Sequence, residues 1–251
     1  MASDIYKSYS NYPLHAKIGK IISAHSQNTR DVRDVVKNEI PWDTIQSMAD
    51  LGCGYGWFEQ GLTSSFDLIV GVDCLAENGP PFIESAKTHS ENVLFKRVDL
   101  PAVLEFPSGS FDLVVCAYSL YFFPEALPEI ERLLQEDGVF VAITHSNRML
   151  QEGEEYFDFK NLKKIVERFS AENGVAILGR YFRRITEIDY KNSLIFRKGE
   201  EQDLAQYIDF KGELIAQDVD PDRVKTTMIE ELATKGELRL NKDDRIFLAR
   251  K

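Results

Sequence analysis

Five short β-rich runs alternate with helix-like segments between residues 48 and 147, and this alternation restricts the fold more than any other feature. The runs are "SMADLG", "FDLIVGVD" ending at Asp73, "VLFKRVD" ending at Asp99, "FDLVVCA", and "EDGVFVAITHS". The fourth is almost wholly apolar, as a strand covered on both faces must be. Helical patterns separate them: "WFEQGLTSS", "PPFIESAKTH", and "PEALPEIERLLQ", where Leu127, Ile130, Leu133 and Leu134 recur at helical spacing. Strand–helix alternation of this length joins parallel strands through right-handed crossovers. The expected fold class is therefore α/β, a doubly wound, mainly parallel sheet.

The flanking segments predict additions to one domain. Residues 1–40 read as an N-terminal helical arm or lid, helical around "DVRDVVKNEI" after a tyrosine-rich start. Residues 151–235 read as a mostly helical cap, with an extended piece near "RRITEIDYKNSLIF". The end, "GELRLNKDDRIFLARK", reads as a hairpin turning at Asn241 to Asp244, its last strand joining the sheet antiparallel. Residues 41–150 and 236–251 would then form the core, within what 251 residues can bury as one domain.

Charge narrows the partners. A formal net charge of −11 argues against nucleic acid, which calls for clustered Lys and Arg. Cys53, Cys74 and Cys116 show no metal-like pairing and read as reduced thiols that fill small spaces; no metal is expected. The longest apolar runs are too short to span a bilayer, and "MASDIYKSYS" lacks the features of a secretory leader. A cytoplasmic protein without membrane contact is expected, and no residue pattern specifies an oligomeric state.

In sheets of this kind ligands bind beyond the carboxyl ends of the strands. The first strand delivers "DLGCGYG" there. A dinucleotide fingerprint needs glycines at 52, 54 and 57, but position 57 is Trp57 and the third glycine is Gly56. Asp50 at this turn suits a cationic or hydroxylated ligand better than a pyrophosphate. Asp73, 17 residues after Gly56, is placed to accept ribose hydroxyls. Asp99 and the Leu100 N–H are placed to meet an adenine edge. Each alone has a plainer reading, such as Asp50 capping a loop. Three carboxylates at three successive strand ends form a constellation.

These residues carry a resemblance. "ADLGCGYGWF", "VGVD", "RVDL" and "FDLVVCAYSLYFFPEALPEIERLLQEDGVFVAIT", with the terminal "RIFLARK", resemble class I S-adenosylmethionine-dependent methyltransferases of the small-molecule, type 11 kind. The resemblance implies a Rossmann-like seven-stranded sheet, S-adenosyl-L-methionine as cofactor, S-adenosyl-L-homocysteine as product, and a small-molecule acceptor. It implies that Asp50 to Gly56, including Gly52, Cys53 and Gly54, line the methionine moiety. It places Asp73, with Cys74 beside it, at the ribose, and Asp99 and Leu100 at the adenine. The backbone around Cys116 would meet the methionine amino group. One departure is "CLAENGPP" after Asp73, where the family often continues with a Ser-Pro or similar helix start.

His145 follows the fifth strand and reads either as a base reaching an acceptor or as a hydrogen-bonded loop histidine. Tyr118 and Tyr121 follow the fourth strand and are expected at the acceptor pocket. Tyr6, Tyr9 and Tyr12 recur every third residue, as a lid over the cofactor or an anchor for the arm. Methyl transfer from a sulfonium demands mainly positioning and desolvation, so no side chain is obligatory. Alternatives stay open: a module that binds the cofactor without transfer, or a protein or nucleic-acid methyltransferase. "AYSLYFF" replaces the N-P-P-Y type motif that base- and amide-methylating families show, and Trp57 disfavours a nicotinamide oxidoreductase.

Overall fold

The computed structural model describes residues 11–155, 160–212 and 220–251. The chain begins with helices α1 (Tyr12–His25) and α2 (Val32–Lys37), then runs through β1 (Ser47–Leu51), β2 (Leu68–Asp73), α3 (Gly79–Ala86) and β3 (Val93–Arg97). Next come β4 (Phe111–Ala117), α4 (Leu127–Leu133), β5 (Leu134–His145), α5 (Lys160–Val166) and α6 (Gly174–Leu178). The last elements are β6 (Arg184–Tyr190), β7 (Ser193–Arg197), α7 (Glu201–Gly212), α8 (Pro221–Lys235), β8 (Glu237–Asn241) and β9 (Asp244–Arg250).

Seven strands form one sheet in the order β3-β2-β1-β4-β5-β9-β6. Strands β1 to β5 are parallel, and β9 runs antiparallel to both β5 and β6. The α/β, doubly wound sheet with an antiparallel closing strand is therefore present as expected. Alternation along each strand feeds two cores. Ala49, Val70, Val114 and Phe140 face one side, against α4 and Phe169. Met48, Ile69, Leu113 and Val139 face the other, against α2 and α3. Apolar side chains on both faces make these strands read as continuous hydrophobic runs.

A second, smaller core stands apart from the sheet. Strands β7 and β8 pair antiparallel, and their Leu194, Phe196, Leu238 and Leu240 pack with Ile18 of α1, Tyr207 of α7 and Met228 of α8. Asn11 starts α1 by accepting a hydrogen bond from Leu14 N–H at 3.2 Å, with Pro13 in the first turn. Gly236, at φ +79°, ends α8 in the left-handed conformation and turns the chain into β8.

Three local expectations are corrected. The segment "WFEQGLTSS" is not an α-helix but a series of turns with one 3₁₀ turn at Glu59–Gly61. Arg33 competes for the backbone there: its Nη1 donates to Trp57 O at 2.6 Å, the carbonyl an α-helix would pair with Gly61 N–H, which turns to Phe58 O instead. The terminal segment is not a hairpin. β8 belongs to the small sheet and β9 to the large one, so Lys242 and Asp243 form a crossing between sheets. β9 is apolar on both faces and finds neighbours on both edges, which β8 with its exposed alternate residues could not provide. Finally β6, inside the segment expected as cap, is an edge strand of the main sheet. The expected cap stretch "EEYFDF" lies partly outside the described residues, as do Tyr6 and Tyr9.

Candidate active site

One cavity of about 530 Å³ opens at the carboxyl ends of β1, β2, β4 and β5, and α1 and the end of α7 roof it. At its floor the chain leaves β1 through Gly52, Cys53 and Gly54, all lining the space. Gly52 (φ +76°) passes so close to the loop after β4 that a Cβ would lie 2.5 Å from Ser119 Cβ. Gly54 (φ +52°) is different, because a Cβ there would meet nothing within 4 Å. Its backbone faces open cavity. The glycine stretch thus approaches its own neighbours at Gly52 and an empty space at Gly54.

Asp73 ends β2 and ties this loop down. Its Oδ2 accepts from Gly54 N–H at 2.9 Å, and its Oδ1 accepts from Leu75 N–H at 2.8 Å and Asn78 Nδ2 at 3.2 Å. Asp50 is buried beneath the loop, and among the described residues its Oδ1 has no hydrogen-bond partner. Burial pushes its carboxyl well up, and the neighbouring Glu59 pushes it further. Glu59 is itself fully buried and raised by desolvation, so the two acids hold a proton near neutral pH. Asp99 and Leu100 line the cavity beyond β3, and Cys74 lines it beside Asp73.

The opposite wall carries a buried polar cluster. His145 Nδ1 lies 2.6 Å from Asp244 Oδ1. Tyr118 Oη and Lys242 Nζ both donate to Asp244 Oδ2, each at 2.7 Å. Strand pairing causes this meeting: β9 brings Asp244 into register with His145 on β5 and Tyr190 on β6. Rings close the assembly, with Tyr118 stacked on His145 at 4.8 Å and Tyr121 at 5.9 Å. Tyr118 adopts φ +58°, an uncommon conformation for an aromatic residue, held here by its bond to Asp244.

Charge follows from these contacts. Burial, then Lys242, lowers the His145 pKa to about 4 although Asp244 opposes them, so the imidazole is neutral at neutral pH. Burial raises the Asp244 carboxyl, but Lys242 and His145 together bring it below its ordinary value. Asp244 therefore stays ionised and accepts the Nδ1 proton of His145. That leaves Nε2 as the proton-accepting nitrogen.

Of the residues singled out from the sequence, Asp50, Gly52, Cys53, Gly54, Asp73 and Cys74 share this cavity with Asp99, Leu100, Tyr118, Tyr121 and His145. Two lie outside it. Cys116 is fully buried on β4, and its neighbour Ala117 lines the cavity instead. Tyr12 is 40% exposed at the start of α1 and is absent from the lining. Asp244, Lys242 and Lys211 were missed. The signal for the first two was present, since a charged "NKDD" directly before an apolar strand is a site candidate as well as a turn.

The central part of the chain resembles known methyltransferases. Residues 49–142 match the family model described as a methyltransferase domain. The uncharacterized methyltransferase YcgJ of Bacillus subtilis is 30% identical over 104 residues, covering 38% of this chain and 39% of that protein. The mitochondrial arginine-hydroxylase NDUFAF5 of Rattus norvegicus is 32% identical over 106 residues, covering 41% of this chain and 30% of that protein. The chain thus spans well under half of the length of either relative. The crystal structure of YcgJ superposes with TM-score 0.60 at 17% identity, over 87% of this chain and 97% of that one. A phosphoethanolamine N-methyltransferase of Haemonchus contortus, solved with phosphomonomethylethanolamine and S-adenosylhomocysteine, gives TM-score 0.51 at 18% identity, over 87% of this chain and 51% of that one. Over residues 49–142 the chain accordingly matches a methyltransferase domain, and it is similar there to class I S-adenosylmethionine-dependent methyltransferases.

Proposed function

We propose that this protein is an enzyme that transfers the methyl group of S-adenosylmethionine to a small-molecule acceptor, with His145 taking up the acceptor's proton. The observation that carries the reading is continuity. One cavity joins the glycine loop and its carboxylates to the His145–Asp244 pair. The residues fit the cofactor: Gly54 offers room for close backbone approach, and Asp50 Oδ1 is a buried acceptor without a donor among the described residues. Asp73 and Asp99 supply acceptors for hydroxyl and amine groups at the far end.

When bound, the cofactor supplies an electrophilic methyl group on a sulfonium. The chain's part is to orient, to exclude water, and to hold a proton. Gly52, Cys53 and Gly54 with Asp50 would hold the methionine portion, Asp73 the ribose, and Asp99 with Leu100 the adenine. Tyr118 and Tyr121 would pack against the acceptor. His145 receives the acceptor's proton at Nε2, and the Asp244 carboxylate stabilises the imidazolium as it forms. The position of helix α1 over the cavity supports a small-molecule acceptor, since a large folded surface would have to pass beneath it. The acidic total charge disfavours nucleic acid. Three free thiols suit the cytoplasm.

A methyl-labelled cofactor incubated with fractionated small metabolites, and separately with protein and nucleic acid, tests the reading. Label should move only into the first pool. A second reading is favoured by one of the relatives, whose name is that of a hydroxylase. In that case calorimetry would show binding of S-adenosylhomocysteine but no pool would take up label.

A further inference from the structure

The cavity wall opposite the glycine loop holds more positive charge than its contacts use. Lys211, in the last turn of α7, is 8% exposed and lines the cavity beside His145. Its ammonium lies 5.7 Å from the Phe210 ring centre and 5.8 Å from that of Tyr207, yet among the described residues it forms no hydrogen bond or ion pair. Tyr207, one turn earlier on the same helix face, has a buried hydroxyl that also lacks a partner. Among the described residues the acidic group acting on Lys211 is Asp244, and it already accepts from Tyr118, His145 and Lys242. Two buried ammonium groups thus face one carboxylate, next to a neutral imidazole. Burial and the repulsion of Lys242 lower the Lys211 pKa to about 8, as expected for a cation short of a counter-charge. A buried cation without a partner is costly, and one aimed into a cavity awaits a ligand that completes it.

We infer that the acceptor is an anion, a carboxylate- or phosphate-bearing small molecule whose charged group is held by the Lys211 ammonium while its nucleophilic atom faces His145. This rests on the methyl-transfer reading above and names the substrate class. The cofactor's own carboxylate is the competing source of negative charge. It is disfavoured because Lys211 also lines a small adjoining space with Met149, Leu162 and Ile165, a space that no residue of the glycine loop lines. The aromatic surfaces of Tyr121 and Phe122 flank that space and would take the apolar body of the acceptor.

The test uses the full chain saturated with S-adenosylhomocysteine, with benzoate, inorganic phosphate and uncharged benzamide as probes in calorimetry. Wild type should bind at least one anion about tenfold or more tightly than benzamide. Lys211→Met should abolish that preference and leave S-adenosylhomocysteine affinity within about twofold, and Lys211→Arg should retain much of the preference. Near-ultraviolet circular dichroism of the variants confirms folding. Equal binding of charged and neutral probes by wild type, or a preference that survives in Lys211→Met, overturns the inference. A tenfold loss of S-adenosylhomocysteine affinity in Lys211→Met, with anion preference intact, reassigns Lys211 to the cofactor and also overturns it. None of these outcomes depends on methyl transfer, so failure here is separable from failure of the proposed activity.

Discussion

Replacing Asp244 by Asn should be among the most damaging single changes this fold can suffer. The side chain is 1% exposed and accepts three hydrogen bonds, at 2.6 Å from His145 and 2.7 Å from both Tyr118 and Lys242. Hydrogen bonds to an ionised group contribute roughly 1.5–3 kcal/mol each, but bonds sharing one acceptor do not add. The dominant loss is electrostatic, because Asn keeps the shape and leaves the Lys242 ammonium buried without its counter-charge. Breaking a buried pair on one side costs about 3–5 kcal/mol. In a chain of this size each kcal/mol moves Tm by roughly 2–4 °C, so Tm should fall by about 6–20 °C. Urea unfolding of Asp244→Asn, Lys242→Met and the double variant forms the cycle. The double variant should be more stable than Asp244→Asn alone, because it removes the stranded charge. A loss under about 1 kcal/mol for Asp244→Asn, or strict additivity, would refute the idea that this cluster is held together by charge.

Acid should destabilise the fold in a defined window. His145 and His15 both have pKa values near 4, below the unfolded value of 6.5, His15 chiefly through burial and then Lys211. The unfolded chain therefore binds more protons between these values, and stability present above pH 6.5 is lost as pH falls through 4, by up to roughly 3 kcal/mol for His145. Unfolding free energy measured from pH 7 to 4 should show this slope, and His145→Gln should flatten it. Gly54→Ala should cost only about 1–2 kcal/mol for its left-handed backbone but weaken S-adenosylhomocysteine binding in calorimetry. Gly56→Ala should chiefly lower Tm, because its Cβ would lie 2.9 Å from Ser85 Cβ. Asp73→Ala, which strands the N–H groups of Gly54 and Leu75, should reduce affinity for the same ligand at least about tenfold; an unchanged dissociation constant in a folded variant would remove Asp73 from the site.

The central sheet was legible because both strand faces are buried, so its runs are unmistakable in apolar content and end at Asp73 and near Asp99. The glycine loop was legible for a related reason, since left-handed backbone leaves a glycine where other residues are strained. What escaped was set by distant pairing. A strand such as β8 reads the same whether its partner is its neighbour or β7, and only the packing of Leu238 and Leu240 under α8 decides. The Asp244–Lys242 cluster escaped for that reason, because its meaning depends on a strand 99 residues away in sequence. The helix expected at "WFEQGLTSS" failed where Arg33, from another element, takes the Trp57 carbonyl that a helix would use.

The crossing at Lys242 and Asp243 has a mechanical consequence. It is too short to act as a hinge, and it is anchored on both sides: Asp243 accepts from Lys191 and Asn192, while Lys242 donates to Asp244. The small sheet is thus riveted to the large one at the very point where His145 is held. Swinging the β7–β8 layer outward would pull Lys242 from Asp244, the carboxylate beside His145. The α1 rim is tied to the same layer, through the Ser26–Leu194 bridge, the His25 contacts with Ile195 and Asp203, and the packing of Ile18 and Ile21 against Leu194 and Phe196. Roof and His145 wall are thus joined through one small sheet, so the shape of the cavity between them is set by the fold itself.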